Sequence, residues 1–300
     1  MVGIPGSAGD WQIGKMQGGR NMSTREERIE VFEDTMSWIR EDPELTQAVK
    51  EAKAHSKVFF EDEYPSFNGE KRCAMEVTVT RERSFEAAMR LRSGNKDAKI
   101  AVLNFANAFH PGGGVTKGSS AQEECLCRTS TLYPVISDNR TVSAYYQHHY
   151  ELDTPKASDS LIYSEGIVIL KTDEDLPRRM SKENHVTVDV ITMAAPDLRD
   201  KSNRYAPVVG SGASMNDAEL FGYHVKRAIH MLTCAAAKGV DILVLGAFGC
   251  GAFENDPTVV ARAYKTVLAE FPPVFDKIVF AVYCSPLSRT NYDAFRDTLA

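Results

Sequence analysis

Apolar and polar positions follow two different rhythms along this 300-residue chain. Toward the N-terminus the apolar positions recur at helical spacing, with Ile29, Phe32, Met36 and Ile39 in one run and Leu45, Val49 and Ala52 in the next. Ser23-Thr24-Arg25-Glu26-Glu27 offers two overlapping capping boxes for the first helix. Asp42-Pro43 supplies the second with an N-cap and a proline at its first helical position. Residues 64–70 read as a polar connection, 74–80 alternate as a strand does, and Ser84 opens a short helix ending near Ser93-Gly94-Asn95. The rhythm then changes. Four compact apolar runs, 99–105, 186–193, 240–247 and 277–283, have the continuous character of strands covered on both faces. Helical segments at about 120–132, 216–238 (stopped by Gly239) and 257–270 (ending before Pro272-Pro273) alternate with them. Residues 161–170 predict a hairpin or edge strands turning at Glu165-Gly166. Buried strands alternating with helices give an α/β fold with a largely parallel sheet.

Composition narrows the function classes. At 43% hydrophobic residues the chain is an ordinary globular protein. Its net charge of −6 argues against a sequence-independent nucleic-acid binder, although a small anion can still be held by local dipoles. No apolar run reaches the roughly 18 residues needed to span a bilayer. The glycine-rich first 22 residues lack the uninterrupted apolar stretch of a secretory signal and read as a flexible tail or an added extension. Six scattered cysteines form no disulfide framework, which fits a reducing cytoplasm. Cys125-x-Cys127 has no second pair at zinc spacing and His148-His149 no partner pattern, so neither a metal nor a cofactor is expected.

The chemistry concentrates where strands end. In open α/β sheets, ligands bind outside the carboxyl ends of the strands. After the 99–105 run comes Asn104-Phe105-Ala106-Asn107, then the triplet Gly112-Gly113-Gly114, whose backbone can face an anion, and then Gln122, Glu123 and Glu124 in a first helical turn. Small residues, Ala194-Ala195-Pro196, follow the 186–193 run. After the third run, Gly249-Cys250-Gly251-Ala252 can form a second backbone nest, with Phe253 placed to stack on a sugar or base. Two glycine loops suit a diphosphate. Neither has Walker or G-x-G-x-x-G spacing, which speaks against ATP hydrolysis and hydride transfer. Glu123 also has a plain reading, since Ser120-x-x-Glu123 is a capping box and acids are common in first turns. A glycine loop so close to an acid pair favours acid/base work on a phosphorylated substrate. Cys250 has no histidine partner, His110 reads as a solvent-facing loop residue, Arg128 as an i,i+4 partner of Glu124, and Tyr145-Tyr146 with His148-His149 as a helix surface.

These segments resemble the bacterial-type poly(ADP-ribose) glycohydrolases, a divergent branch of the macrodomain fold. The likeness rests on GGG, a seven-residue spacer and QEE, followed by LCRTSTLY, DVITMAAPDL and LVLGAFGCGAFENDP. It implies a three-layer α/β/α macrodomain-like catalytic domain over 71–300, accessory helices over 23–70 and a tail over 1–22. It further implies that Glu124 is the catalytic acid/base, that Glu123 holds ribose hydroxyls and that Gln122 places the pair. Asn107 would contact the distal ribose, with Gly112, Gly113 and Gly114 around that ribose and its phosphate. Gly249, Cys250, Gly251 and Ala252 would take the diphosphate, and Phe253 would pack near the terminal ribose. Glu254 departs from the glycine or basic residue usual there. The expected partners are poly(ADP-ribose) or ADP-ribosylated protein as substrate and ADP-ribose as product, with no membrane and no sequence-specific nucleic acid. The enzyme would trim chain ends and spare the last protein-linked unit. A mono-ADP-ribosyl hydrolase or a non-catalytic ADP-ribose reader would use the same pocket.

Overall fold

Thr24 starts the first helix as its capping box predicts. Its hydroxyl accepts from the Glu27 N–H at 3.1 Å while the Glu27 carboxylate accepts from the Thr24 N–H at 2.6 Å. The computed structural model describes residues 24–67, 74–199, 214–285 and 288–299; the tail read over 1–22 lies outside them. Helix α1 (Arg25–Glu41) buries Phe32 and Ile39, and α2 (Pro43–His55), capped by Asp42, buries Leu45, Val49 and Ala52. The chain continues through β1 (Lys57–Phe59), β2 (Glu76–Thr80), α3 (Ser84–Gly94) and β3 (Ile100–Ala106). A 3-10 turn at Val115–Lys117 leads to α4 (Gln122–Thr129) and α5 (Leu132–Ile136). Then come α6 (Asn139–Thr141), a π turn over Val142–Tyr146, α7 (Gln147–Leu152), β4 (Leu161–Ile169) and β5 (Val186–Ala194). The last elements are α8 (Asp217–Ala237), β6 (Ile242–Leu245), α9 (Pro257–Glu270), β7 (Lys277–Ala281) and α10 (Thr290–Leu299).

The strands form one sheet in the order β1-β4-β5-β3-β6-β7-β2. The five from β5 to β2 run parallel, while β4 pairs antiparallel with both β5 and β1. Alternate residues of each strand feed opposite cores. Ile100 and Val102 of β3 pack with α1 to α5, whereas Ala101 and Leu103 pack with α8, α9 and α10. The result is the α/β/α layering expected from the sequence. Helices α1 and α2 share the first core with β3 and β5, and β1 adds a strand to the sheet.

Three sequence expectations change. Residues 161–170 are neither hairpin nor edge: β4 is one interior strand whose register shifts between Ser164 and Ile167. Gly166, at φ +73°, makes a bulge instead of a reversal, and Asp189 of β5 holds it by accepting from the Gly166 N–H (3.1 Å) and the Tyr163 hydroxyl (2.6 Å). The helix expected to reach residue 132 stops at Thr129, because its backbone there turns to β4. Leu170 N–H donates to Thr129 O, and Thr131 N–H to Val168 O, both at 3.0 Å. The supposed helix surface at 145–149 is core: Tyr145, Tyr146 and His149 are buried, and burial lowers the His149 pKa to about 4.

Candidate active site

The loop after β3 leads into α4 on one face of the sheet, and β5 leads toward α8 on the other, so a crevice opens at the carboxyl end of β3. Ala106 of β3 sits in register with Ala194 of β5, and β6 pairs with the other side of β3. The three ends flagged in the sequence therefore lie side by side. They open into a cleft of about 1390 Å³ lined by Asn107, Gly113, Gly114, Gln122, Glu123, Glu124 and much of the Gly249 loop.

Gln122 fastens α4 to β3. Its carbonyl accepts from the Phe105 N–H at 2.9 Å, and its amide donates to Leu103 O at 2.7 Å and to the Ser84 hydroxyl at 3.0 Å. The capping box expected from Ser120 and Glu123 does not form. Ala121 stands at the N-cap with no side-chain bond. Glu123 instead turns into the crevice, accepting from Asn107 N–H at 2.8 Å and from Asn104 Nδ2 at 3.3 Å. Burial, assisted by the second carboxyl of Glu124 beside it, raises the Glu123 pKa to about 8 despite those donors.

Glu124 is anchored by one oxygen. Its Oε1 accepts from Gly114 N–H at 2.9 Å, while Oε2 is buried without a hydrogen-bond partner. Gly113 must be glycine here: at φ +56° it brings its Cα so close that a Cβ would lie 2.6 Å from Glu124 Oε1. Arg128 is not the intrahelical partner of Glu124. Its guanidinium donates to the carbonyl of Ser119 and to Cys125 Sγ, because the side chain is buried against the glycine loop.

Asn107 contributes through its backbone and forms a turn of its own, its Oδ1 accepting from Phe109 N–H and His110 N–H at 2.8 and 2.9 Å. His110 is exposed at the cleft rim, within 3.4 Å of the Tyr150 hydroxyl. Gly112, at φ +68°, shapes the first turn of the triplet. In the second loop, Gly249 approaches Ala195 so closely that a Cβ would lie 2.7 Å away. The N–H groups of Gly249, Gly251 and Ala252 have no hydrogen-bond partner among the described residues. Phe253 lines the cleft with the Arg199 guanidinium 5.1 Å from its ring centre. Cys250 has its thiol pushed up by burial and bonded toward Phe248 O at 3.6 Å, far from thiolate chemistry. Glu254 is exposed at φ +60°.

Sequence reasoning missed the residues that hold these loops. Asn255 is buried, donates to Pro196 O (2.8 Å) and Phe253 O (3.0 Å), and meets His224 Nε2 at 2.8 Å through its own Oδ1. Asp173 lines the cleft and accepts from the Phe85 N–H at 2.9 Å at the start of α3; burial raises its pKa. In the sequence Asn255 is only the middle of the polar run Glu254-Asn255-Asp256, with nothing local to mark it as buried. Among the described residues there is no group of three or more His, Cys, Asp or Glu side chains able to hold a metal ion, and no helix is long and apolar enough to cross a membrane.

A family model, the microbial-type PARG catalytic domain, matches residues 26–172. The solved poly(ADP-ribose) glycohydrolase of Deinococcus radiodurans in complex with ADP-ribose is 30% identical, with a TM-score of 0.69 over 84% of this chain and 96% of that one. This chain belongs to the microbial-type poly(ADP-ribose) glycohydrolase family. The glycohydrolase of Thermomonospora curvata is 28% identical with a TM-score of 0.77, covering 91% of this chain and 100% of that chain. The same enzyme bound to the inhibitor ADP-HPD gives 29% identity and a TM-score of 0.73, over 90% and 98% of the two chains. No curated protein sequence matches this chain.

Proposed function

We propose that this protein is a poly(ADP-ribose) glycohydrolase that releases ADP-ribose from chain ends by acid/base cleavage of the ribose-ribose glycosidic bond. Family membership supports the activity, and the ligands named for the similar solved proteins, ADP-ribose and ADP-HPD, fit a cleft with two glycine loops. The observation that carries the reading is Glu124, a cleft-lining residue with one oxygen fixed by the Gly114 N–H and the other buried with its hydrogen bonding unspent. Glu124 would protonate the leaving oxygen as the ribose gains oxocarbenium character, and its carboxylate would then activate a water. Glu123, kept protonated near neutral pH by burial, would hold a ribose hydroxyl with its carboxyl O–H as donor. Gly112 to Gly114 and Asn107 would surround the distal ribose, Gly249 to Ala252 would hold the diphosphate through backbone N–H groups, and Phe253 would pack on the terminal ribose. Among the described residues, the carboxyl beside Glu124 that could pair with it as in the usual glycosidase scheme is its neighbour Glu123. The other carboxylates lining the cleft include Glu82, bonded to Arg90, and Asp175, paired with Arg83. The free thiols of Cys125, Cys127, Cys234, Cys250 and Cys284 support a reducing, cytoplasmic setting.

The test is Glu124→Gln, assayed with polymer and with mono-ADP-ribosylated protein. Loss of polymer turnover by roughly 10²–10⁴-fold, with ADP-ribose affinity retained, is the expected outcome. Normal turnover would sink the assignment, and faster release from the mono-modified substrate by the unmutated protein would redirect the activity.

A further inference from the structure

The glycine loop that positions Glu124 leans on α1, a helix distant from it in sequence. Gly118 closes the 3-10 turn after the triplet at φ +71°, and a Cβ on it would fall on the carbonyl oxygen of Arg25, so the loop lies directly against the first turn of α1. There Arg28 Nε donates to Gly118 O at 2.7 Å. One residue further, the Ser119 carbonyl accepts from Arg128 at the end of α4. The Arg128 carbonyl in turn accepts from the Thr35 hydroxyl of α1 at 2.6 Å, closing a ring that runs α1, loop, α4 and back to α1. The far side of α1 is tied down as well. Buried Lys171 donates to Val31 O at 2.8 Å and pairs with Asp34 at 2.7 Å, and Arg179 pairs with the same carboxylate. Desolvation and the Asp34 pair act oppositely on Lys171, whereas both cations hold the Asp34 carboxyl low, at about 2.

Inside that ring sits the contact that matters for chemistry, Gly114 N–H to Glu124 Oε1 at 2.9 Å. Ser119 N–H also donates to Gly114 O at 3.1 Å, so a displacement of residues 118–119 is passed directly to Gly114. The Gly249 loop has no part in this ring: its anchors are Asn255, Pro196 and Ala195. The two halves of the cleft are thus braced independently, one by α1 and one by the β5 and β6 ends.

We propose that Arg28 is a positioning residue for Glu124, making the first turn of α1 part of the catalytic apparatus; this rests on reading Glu124 as the acid/base. Arg28 lines the cleft but acts through the loop, so its loss should appear mainly in the chemical step and less in ligand affinity. Expected for Arg28→Ala is a fall in kcat of about 10–100-fold, the scale on which a misplaced catalytic group costs rate. KM and the Kd for ADP-ribose should move much less than kcat, because the Gly249 loop is braced separately, and the protein should fold. Arg28→Lys, whose amine can reach the same carbonyl, should recover most of the rate. Gly118→Ala, which pushes the loop off Arg25 with Arg28 in place, should reproduce the kcat loss and keeps the idea testable if Arg28→Ala does not fold. In a Glu124→Gln background, Arg28→Ala should change the residual rate by less than about twofold, because both act through one group. A normal kcat in Arg28→Ala, a loss confined to KM or ADP-ribose affinity, or multiplicative losses in the double variant would overturn the proposal. Undiminished turnover by Glu124→Gln alone would instead overturn the functional reading.

Discussion

Glu123 is the residue whose environment differs most from its surroundings in the sequence. A carboxyl in a helical first turn is ordinarily held in its charged form; this one is buried beside a second carboxylate and its pKa rises to about 8. In the unfolded chain it titrates near 4.5, so between those values the folded state holds a proton that the unfolded state releases. Its contribution to stability is complete below about 4.5 and is lost as the pH climbs through about 8. Glu123→Gln cannot ionise, so its denaturation free energy should decline less between pH 5 and 8 than that of the unmutated protein, by a few kcal/mol. Urea melts at pH 5, 6.5 and 8 measure this, and parallel curves would contradict it. The Glu pair itself was legible from its distance to the glycine triplet. Asp173 and Asn255 were not, because each stands in a short polar run and its burial follows from packing that no local pattern encodes.

Elements with their own punctuation were read closely. Asp42-Pro43, Asn216 and Asp256-Pro257 start α2, α8 and α9 where capping rules place them, and α9 ends at Glu270 as Pro272-Pro273 require. Elements decided by a neighbour were misread. α4 ends early because Thr129 and Thr131 pair with β4, and β4 runs straight through Gly166 because Asp189 holds the bulge; both causes sit far away in sequence. The 249–255 loop is of the same kind. Its shape depends on Asn255, whose replacement by Ala would strand the His224 ring nitrogen and the Pro196 carbonyl in a buried place, at about 1–3 kcal/mol for each group left unsatisfied, while Phe253 O keeps the Leu198 N–H. Asn255→Ala should lower the melting temperature and weaken ADP-ribose binding at least tenfold, while kcat at saturating polymer stays closer to normal. Calorimetric titration with ADP-ribose checks it; unchanged affinity would show that the loop keeps its form without the clamp.

At the scale of the molecule, the α/β class was legible from the rhythm of apolar residues, and the three layers from the family resemblance. Strand order was not, since nothing local says that β6 returns to the opposite side of β3 from β5. That return places the glycine loops at neighbouring strand ends. Ligand in this cleft touches loops rooted in the strongest part of the sheet, so it should protect the whole fold. ADP-ribose at about 100 times its Kd is expected to raise the melting temperature by about 5–10 °C. Arg28→Ala should keep that shift and Asn255→Ala should lose most of it at the same concentration; no shift in the unmutated protein would place ADP-ribose elsewhere.

The juxtaposition of β5, β3 and β6 has one more effect. The two glycine loops of the cleft hang from adjacent strands joined by a continuous hydrogen-bond ladder. A receptor built that way meets its ligand preorganised: little reorganisation precedes capture, and none need precede departure. On the proposed reading, residence time would then be set by contacts such as those offered by the Gly249 loop, and the speed with which ADP-ribose clears the enzyme after each cut would follow how tightly that loop grips.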